Sequence, residues 1–229
     1  MVKLYKVGGA IRDQFLGQQS KDIDYAVEAG SWEEMRNYIE DHGKIYLETP
    51  QYYTIRAHVN NLGDADFVLC RKDGEYRDGR RPETVEVGTL ADDLARRDFT
   101  MNAIAIDVHT NVMIDPYDGY TDLQNGLIRC VRNAHDRFSE DALRMLRALR
   151  FSITKNMRMH DDIQAAFGDV QLLELLDTKI SWDRKKDEVF KMFKHDTSKT
   201  LLILQRFPAI RELLFDNKPL WLEPTLRER

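Results

Sequence analysis

Asp22 and Asp24 stand one residue apart in Lys21-Asp22-Ile23-Asp24-Tyr25, shortly after Val7-Gly8-Gly9-Ala10-Ile11-Arg12-Asp13. On an extended strand alternate side chains share a side, so both carboxylates can converge while Ile23 and Tyr25 face the other way. Two like charges held that close repel unless a cation lies between them. Oxygen ligands at that spacing suit Mg²⁺, which takes one or two carboxylates and fills its other positions with water and substrate phosphates. Gly8-Gly9 supply backbone that a phosphate can approach, with Arg12 as a charge partner. The chemistry indicated is metal-assisted work on a nucleotide. A lone Asp-x-Asp is more often a solvated turn or strand end, so the residues downstream decide.

Asp66 opens Asp66-Phe67-Val68-Leu69-Cys70, an apolar run. It is either a solvated strand end or the third carboxylate of a two-metal site. Arg96-Arg97-Asp98-Phe99-Thr100-Met101-Asn102 packs two cations, an acid and an amide beside a strand. Arginine suits a triphosphate because its planar fork makes paired hydrogen bonds to phosphate oxygens. Asn102 could hold a ribose hydroxyl or cap a turn, and Arg97 could instead pair internally with Asp98 to fix the loop. Glu140–Phe151, taken as one helix, puts Ala142, Met145, Leu146 and Leu149 on one face. On that wheel Asp141 and Arg144 lie opposite, about 60° apart, and Arg147 a further ~60° round. Asp141 and Arg144 then present an acceptor and a donor fork to a base edge, while Arg150 borders the apolar face as a structural salt-bridge residue.

The elements that must position these groups change character along the chain. Lys3–Val7, Asp22–Val27, Tyr52–Val59, Asp66–Cys70 and Ala103–Val108 read as strands, and Ile11–Leu16 and Asp92–Arg97 as short helices. Ser31 with Glu34 forms a capping box for a helix that stops near Gly43. Lys72–Pro82 is rich in glycine and charge and reads as a mobile loop. After Gly126 the pattern is helical: Glu140–Ile153, Asp161–Phe167, Trp182–His195 and Lys199–Phe207. The expectation is an α+β head over residues 1–128, a small mixed sheet with flanking helices, followed by an all-helical module over 129–229.

The 229 residues, 42% hydrophobic and 32% charged, are enough for a sizeable core and unlike a disordered chain. No apolar run approaches the ~20 residues that span a bilayer, and Met1–Tyr5 leads into the glycine motif rather than a signal peptide. Only Cys70 and Cys130 occur, without metal-site spacing, so a reduced cytoplasmic setting without zinc is expected. The net charge of −5 disfavours indiscriminate nucleic-acid binding. The basic residues are clustered, however: Arg129–Arg158 holds eight Arg or Lys against three acids. That fits phosphate binding at one surface.

Taken in order, Gly8-Gly9-x-x-Arg12-Asp13, Asp22-x-Asp24, Arg96-Arg97-Asp98-Phe99-Thr100-x-Asn102, Asp115-Pro116-Tyr117-Asp118-Gly119 with Asp122-Leu123, and Glu140-Asp141-x-x-Arg144-x-x-Arg147-x-x-Arg150-Phe151 form a series. The series resembles the class II tRNA nucleotidyltransferases (CCA-adding enzymes) and bacterial poly(A) polymerases, within the polymerase-β-like superfamily. Ile180-Ser181-Trp182-Asp183-Arg184 with Asp187-Glu188 is similar to a later helical motif of that family. The resemblance implies a head carrying two Mg²⁺ on Asp22, Asp24 and Asp66. It implies that Gly8, Gly9, Arg12, Arg97, Asp98 and Asn102 bind the nucleotide's phosphates and sugar. It further implies a helical neck in which Asp141 and Arg144, supported by Arg147, pair with CTP or ATP in place of a template. The implied partner is the tRNA 3′ end, with no DNA and no membrane. Arg77-Asp78-Gly79-Arg80-Arg81-Pro82 resembles a flexible loop retained by members that add the terminal A. Poly(A) synthesis on other RNAs and a non-catalytic nucleotide- or RNA-binding module are the alternatives. The latter has no need of a repulsive carboxylate cluster.

Overall fold

A computed structural model describes residues 2–19, 23–76 and 82–216. Asp22, residues 77–81 of the expected flexible loop, and the Trp221 tail lie outside the described residues. The chain divides into two compact units, the first built from Met1–Glu75 with Glu83–Leu123 and the second running from Gln124 onward.

The first unit contains β1 (Lys3–Val7), α1 (Gly9–Phe15), β2 (Asp24–Glu28), α2 (Trp32–His42), β3 (Gly43–Thr49), β4 (Thr54–Val59), β5 (Gly63–Leu69), β6 (Arg71–Asp73), β7 (Val85–Val87), α3 (Leu90–Ala95), β8 (Ala105–Asp107), β9 (Met113–Ile114) and α4 (Gly119–Gln124). Among the described residues, seven strands form a mixed sheet in the order β3-β4-β5-β2-β1-β8-β9. The β2–β5 pair at its centre is parallel and its neighbours are antiparallel. The expected α+β head with a small mixed sheet and flanking helices is thus present.

The sheet's register follows from where the apolar residues go. Tyr25 of β2 pairs with Phe67 of β5, and their rings stack with centroids 5.2 Å apart. Both join Val27, Ile55 and Leu69 in a core that also takes Met35 and Ile39 from α2. A pleated strand alternates its side chains, so fixing Tyr25 and Phe67 on the α2 face fixes Asp24 and Asp66 on the other. β4 alternates cleanly, with Ile55, Ala57 and Val59 buried and Arg56 and His58 exposed. Helix α2 begins as its sequence suggests, with Ser31 Oγ accepting from Glu34 N–H at 3.1 Å. Glu34 reaches back one residue further than a capping box would, accepting from Gly30 N–H at 2.7 Å.

One expectation is corrected here and one element is added. The loop expected over Lys72–Pro82 has ordered arms, because Arg71–Asp73 pairs with Val85–Val87. Strand β3, unread in the sequence, is an edge strand whose Tyr46 and Leu47 remain exposed, so it lacks the buried alternation that marks a strand.

The Asp115–Asp122 motif is structural. The Asp115 carboxylate accepts from Gly119 N–H and Tyr120 N–H, both at 2.8 Å, and so caps the start of α4. Buried Asp122 accepts from Thr100 Oγ1 at 2.8 Å. A Cβ on Gly119 would lie 2.1 Å from the Thr100 carbonyl oxygen, so α4 can approach this loop only with glycine there. Gly119→Ala is therefore expected to cost about 2 kcal/mol or more in a urea melt. An unchanged midpoint would show that this approach is not needed for the fold.

The second unit contains β10 (Leu127–Ile128), α5 (Ala134–Glu140), α6 (Leu143–Thr154), β11 (Arg158–Met159), α7 (Asp161–Ala166), α8 (Val170–Thr178), α9 (Trp182–His195), α10 (Thr197–Arg206) and α11 (Pro208–Phe215). Helix α6 buries Met145, Leu146, Leu149 and Ile153 and packs against α9, which buries Val189, Met192 and Phe193. A ring ladder runs from Phe138 through Phe167 to Phe207. Among the described residues no helix is long and apolar enough to cross a membrane.

Candidate active site

In the first unit, Asp24 and Asp66 are register partners on adjacent parallel strands, which places the two carboxylates side by side on one face. Asp66 N–H donates to Ile23 O at 3.3 Å, tying the start of β5 to the residue before Asp24. Arg56, paired with Asp66 from β4, holds a guanidinium nitrogen 3.6 Å from Asp66 Oδ2. Among the described residues, no three His, Cys, Asp or Glu side chains group as a metal site. Asp22, which with Asp24 and Asp66 completes the carboxylate set expected from sequence, is outside them. Two carboxylates facing one point form an all-oxygen donor set, the kind that hard divalent cations take.

Gly8, between β1 and α1, closes this point. Its φ of +71° lies in the left-handed region that a side chain rarely adopts. A Cβ built there would sit 3.2 Å from Arg97 Nη1 and 3.7 Å from Asp24 Oδ2. The space above Gly8 is thus bounded by a guanidinium on one side and a carboxylate on the other. A Cβ on Gly9 would meet Arg12 Nη2 at 3.3 Å. Bare backbone flanked by arginines can receive phosphate oxygens.

A buried network holds the arginines. Arg12 donates from Nε to Asp13 Oδ1 and from Nη1 to Asn102 Oδ1, both at 2.8 Å. Asn102 Nδ2 donates to Asp98 Oδ1 at 2.9 Å, and Asp98 also accepts from Phe99 N–H at 2.8 Å. Asn102 therefore joins Arg12 to Asp98, and both ends of its amide are engaged within the protein. The alternative of an internal Arg97–Asp98 ion pair gives way to a different internal pair. Arg97 donates from Nε and Nη2 to Asp93 Oδ2, at 3.2 and 2.8 Å. Arg96 takes Asp93 Oδ1 with its Nε and Nη2, at 2.9 and 2.6 Å. Burial pushes the Asp93 carboxyl up, but the Arg97 and Arg96 guanidiniums outweigh that effect and hold it below the ordinary carboxylate range. Asp93 went unassigned in the sequence, although its spacing was visible: on a helix it lies three and four residues before the two arginines.

In the second unit the helical wheel fails at Asp141. Its backbone is extended (φ −147°, ψ 101°), so Glu140–Phe151 is not one helix: α5 ends at Glu140 and α6 begins at Leu143. The break is local chemistry. Asp141 Oδ1 accepts from Leu143 N–H at 3.1 Å, which caps the second helix. The expected 60° relation between Asp141 and Arg144 therefore does not hold. Asp141 Oδ2 accepts from Arg184 Nη2 at 3.0 Å. Arg144 Nη1 donates to Glu140 Oε2 at 2.6 Å and to Arg137 O at 2.9 Å. Arg150 Nε donates to buried Glu188 Oε2 at 2.5 Å, the structural salt bridge expected of it. Arg147 Nη1 lies 3.9 Å from the same carboxylate. Arg184 and Glu188, one helical turn apart on α9, thus fasten the α5–α6 junction and the far end of the arginine series. Both belong to the Ile180–Glu188 motif, to which sequence reasoning gave no separate roles.

Comparisons with known proteins identify relatives of the chain. Residues 4–129 match the poly A polymerase head domain. A CCA-adding enzyme of Lactobacillus johnsonii is 39% identical over 192 residues, covering 82% of this chain and 45% of that protein. The crystal structure of the Bacillus stearothermophilus CCA-adding enzyme in complex with CTP aligns with a TM-score of 0.74 at 30% identity. It covers 94% of this chain and 49% of that one. The Thermotoga maritima CCA-adding enzyme complexed with tRNA-CCA aligns with a TM-score of 0.73 at 25% identity, over 96% of this chain and 50% of that one. The chain spans about half the length of the relatives it matches.

Proposed function

Since the chain belongs to the nucleotidyltransferase family of the poly A polymerase head domain and the CCA-adding enzymes, we propose that it adds CCA, or the last nucleotides of it, to tRNA 3′ ends from CTP and ATP, with release of pyrophosphate. The observation that carries this reading is the Asp24–Asp66 register pair, opposed by Gly8 and Arg97. A binding module has no use for a pair of mutually repelling carboxylates.

Asp22, Asp24 and Asp66 would hold Mg²⁺, two ions in our reading, which supply charge neutralisation at the reacting phosphate and lower the pKa of the attacking hydroxyl. The Gly8–Gly9 backbone receives the triphosphate, and Arg97, held by Asp93, faces the phosphates. The RNA 3′-oxygen forms a bond to the α-phosphorus as the α–β bridging bond breaks. Pyrophosphate leaves with that electron pair, and the hydroxyl proton passes to solvent or a carboxylate. Arg12, Asp98 and Asn102 act as one frame for the loop that carries Arg97. Positioning and charge complementarity supply most of the acceleration. In the second unit, Asp141 and Arg144 are assigned to the base edge with Arg147 in support, on the resemblance of the Glu140–Phe151 motif and not on a shared helix face, and Arg184 holds Asp141 Oδ2. Residues 1–128 serve as catalytic head and 129–229 as neck. The CTP and tRNA in the related structures support these substrates, and a cytoplasmic setting is part of the same proposal.

One gel tests the substrate. tRNA lacking CCA, tRNA ending in CC and an unrelated RNA are incubated with CTP and ATP, separately and together. Extension that stops after CCA is expected. Long A tracts on any RNA would make the protein a poly(A) polymerase instead, and nucleotide binding without extension would make it a binding module.

A further inference from the structure

The second unit contains a cavity of about 350 Å³ that the reaction above does not use, between the end of α6, strand β11 and helices α7 and α10. Three cations line it from separate places: Arg158 on β11, Lys199 in the first turn of α10 and Arg206 at its end. Two of them are oriented by neutral amides. Lys199 Nζ donates to Asn156 Oδ1 at 2.5 Å, and Arg206 Nη2 donates to Gln164 Oε1 at 3.2 Å. Gln164 is itself fixed, its Nε2 donating to Met159 O at 3.0 Å and Asp161 Oδ1 at 3.3 Å.

Among the described residues none of these three cations makes an ion pair, in contrast to the arginines of α5, α6 and the first turn of α9. Arg137 and Arg144 share Glu140, Arg147 and Arg150 share Glu188, and Arg184 takes Asp141. A solvated charged face on an acidic chain mixes its signs, whereas this concavity gathers one sign and has no acid in its lining.

We propose that this cavity binds a backbone phosphate of the RNA substrate, a contact separate from both the reacting 3′ end and the nucleotide. A phosphodiester carries a single charge and needs no metal, which matches cations without carboxylates. A nucleoside triphosphate travels with Mg²⁺ and suits a site that offers acids. Met157, Met159 and Ile203 give the cavity an apolar side against which a ribose packs. The contact carries no sequence information and sets where the RNA lies. The proposal rests on the reading of the protein as a tRNA-modifying enzyme.

The test is fluorescence anisotropy of a labelled acceptor-stem hairpin ending in CC, over a salt series, with Mg-CTP binding measured in parallel. Lys199→Gln with Arg206→Gln is expected to weaken hairpin affinity at least tenfold and to reduce the slope of log K against log salt by about one, the share of a single phosphate. CTP affinity should be unchanged. Lys199→Arg with Arg206→Lys should retain binding, and Lys191→Gln on the exposed face of α9 should behave as wild type. Wild-type affinity and slope in the double glutamine variant would overturn the pocket and leave the proposed function standing. Loss of CTP affinity instead of hairpin affinity would also overturn it. A wild-type chain that binds Mg-CTP but not the hairpin would overturn the tRNA reading, and the RNA assignment of the pocket with it.

Discussion

Replacing Asp24 with asparagine is expected to slow nucleotide addition by about three orders of magnitude or more while leaving the protein folded. The substitution keeps size and shape, removes the charge and turns one acceptor oxygen into an amide donor, which weakens metal ligation most. Asp24 lies beside Asp66 on the face opposite the apolar core, and it shares the opening above Gly8 with Arg97. Without its charge the proposed Mg²⁺ loses a ligand at the reacting phosphate. The same change also relieves repulsion between neighbouring carboxylates, so the melting temperature should hold or rise. That combination separates a catalytic role from a structural one. A fall in both activity and stability would mean that Asp24 supports the sheet instead. Full activity with an intact fold would remove it from the site.

The second large effect is expected at Asp93. Asp93→Asn should destabilise the protein by about 3–5 kcal/mol, because it leaves two guanidiniums around a buried position without their carboxylate. The residue is 1% exposed and receives hydrogen bonds from both Arg96 and Arg97. Its folded pKa lies below the unfolded value near ~3.9, so the unfolded state binds the proton more readily. The Asp93 contribution is therefore complete above that unfolded pKa and is lost as pH falls through the lower folded value. Urea midpoints measured between neutral pH and pH 3 should fall less steeply in Asp93→Asn than in wild type. Because Arg97 lines the opening above Gly8, the variant should also raise the KM for CTP several-fold. Parallel pH curves for the two proteins would contradict the ion-pair account.

Some of this was legible in the sequence because the rules involved are local. The 3.6-residue pattern of Trp182–His195 coincides with α9, and the β1 range matches as well. Asp22-x-Asp24 and the arginine loop indicated nucleotide chemistry without any knowledge of register. What the sequence could not carry was pairing at a distance. That Asp66 stands beside Asp24 depends on β2 and β5 being parallel and on Tyr25 meeting Phe67 across them. The wheel over Glu140–Phe151 failed for a different reason. Apolar periodicity continues across Asp141, while a single capping hydrogen bond to Leu143 N–H turns the chain between two helices. An aspartate just ahead of an apolar run is an N-cap signal, and here it outranked the periodicity. Strand β3 escaped because its outward residues include Tyr46 and Leu47, which blur the inside–outside pattern.

The central claim is that carboxylates on this face direct transfer of a nucleotide to an RNA 3′ end. Its most direct test follows label from CTP into tRNA lacking CCA. With Mg²⁺ present, label at the α-phosphate should enter the tRNA, and label at the γ-phosphate should leave in an equal amount of pyrophosphate. Both should stop on chelation and in Asp24→Asn. A folded wild-type protein that binds CTP yet transfers no α-label at any Mg²⁺ concentration, or an Asp24→Asn variant that transfers it at the wild-type rate, would contradict the account.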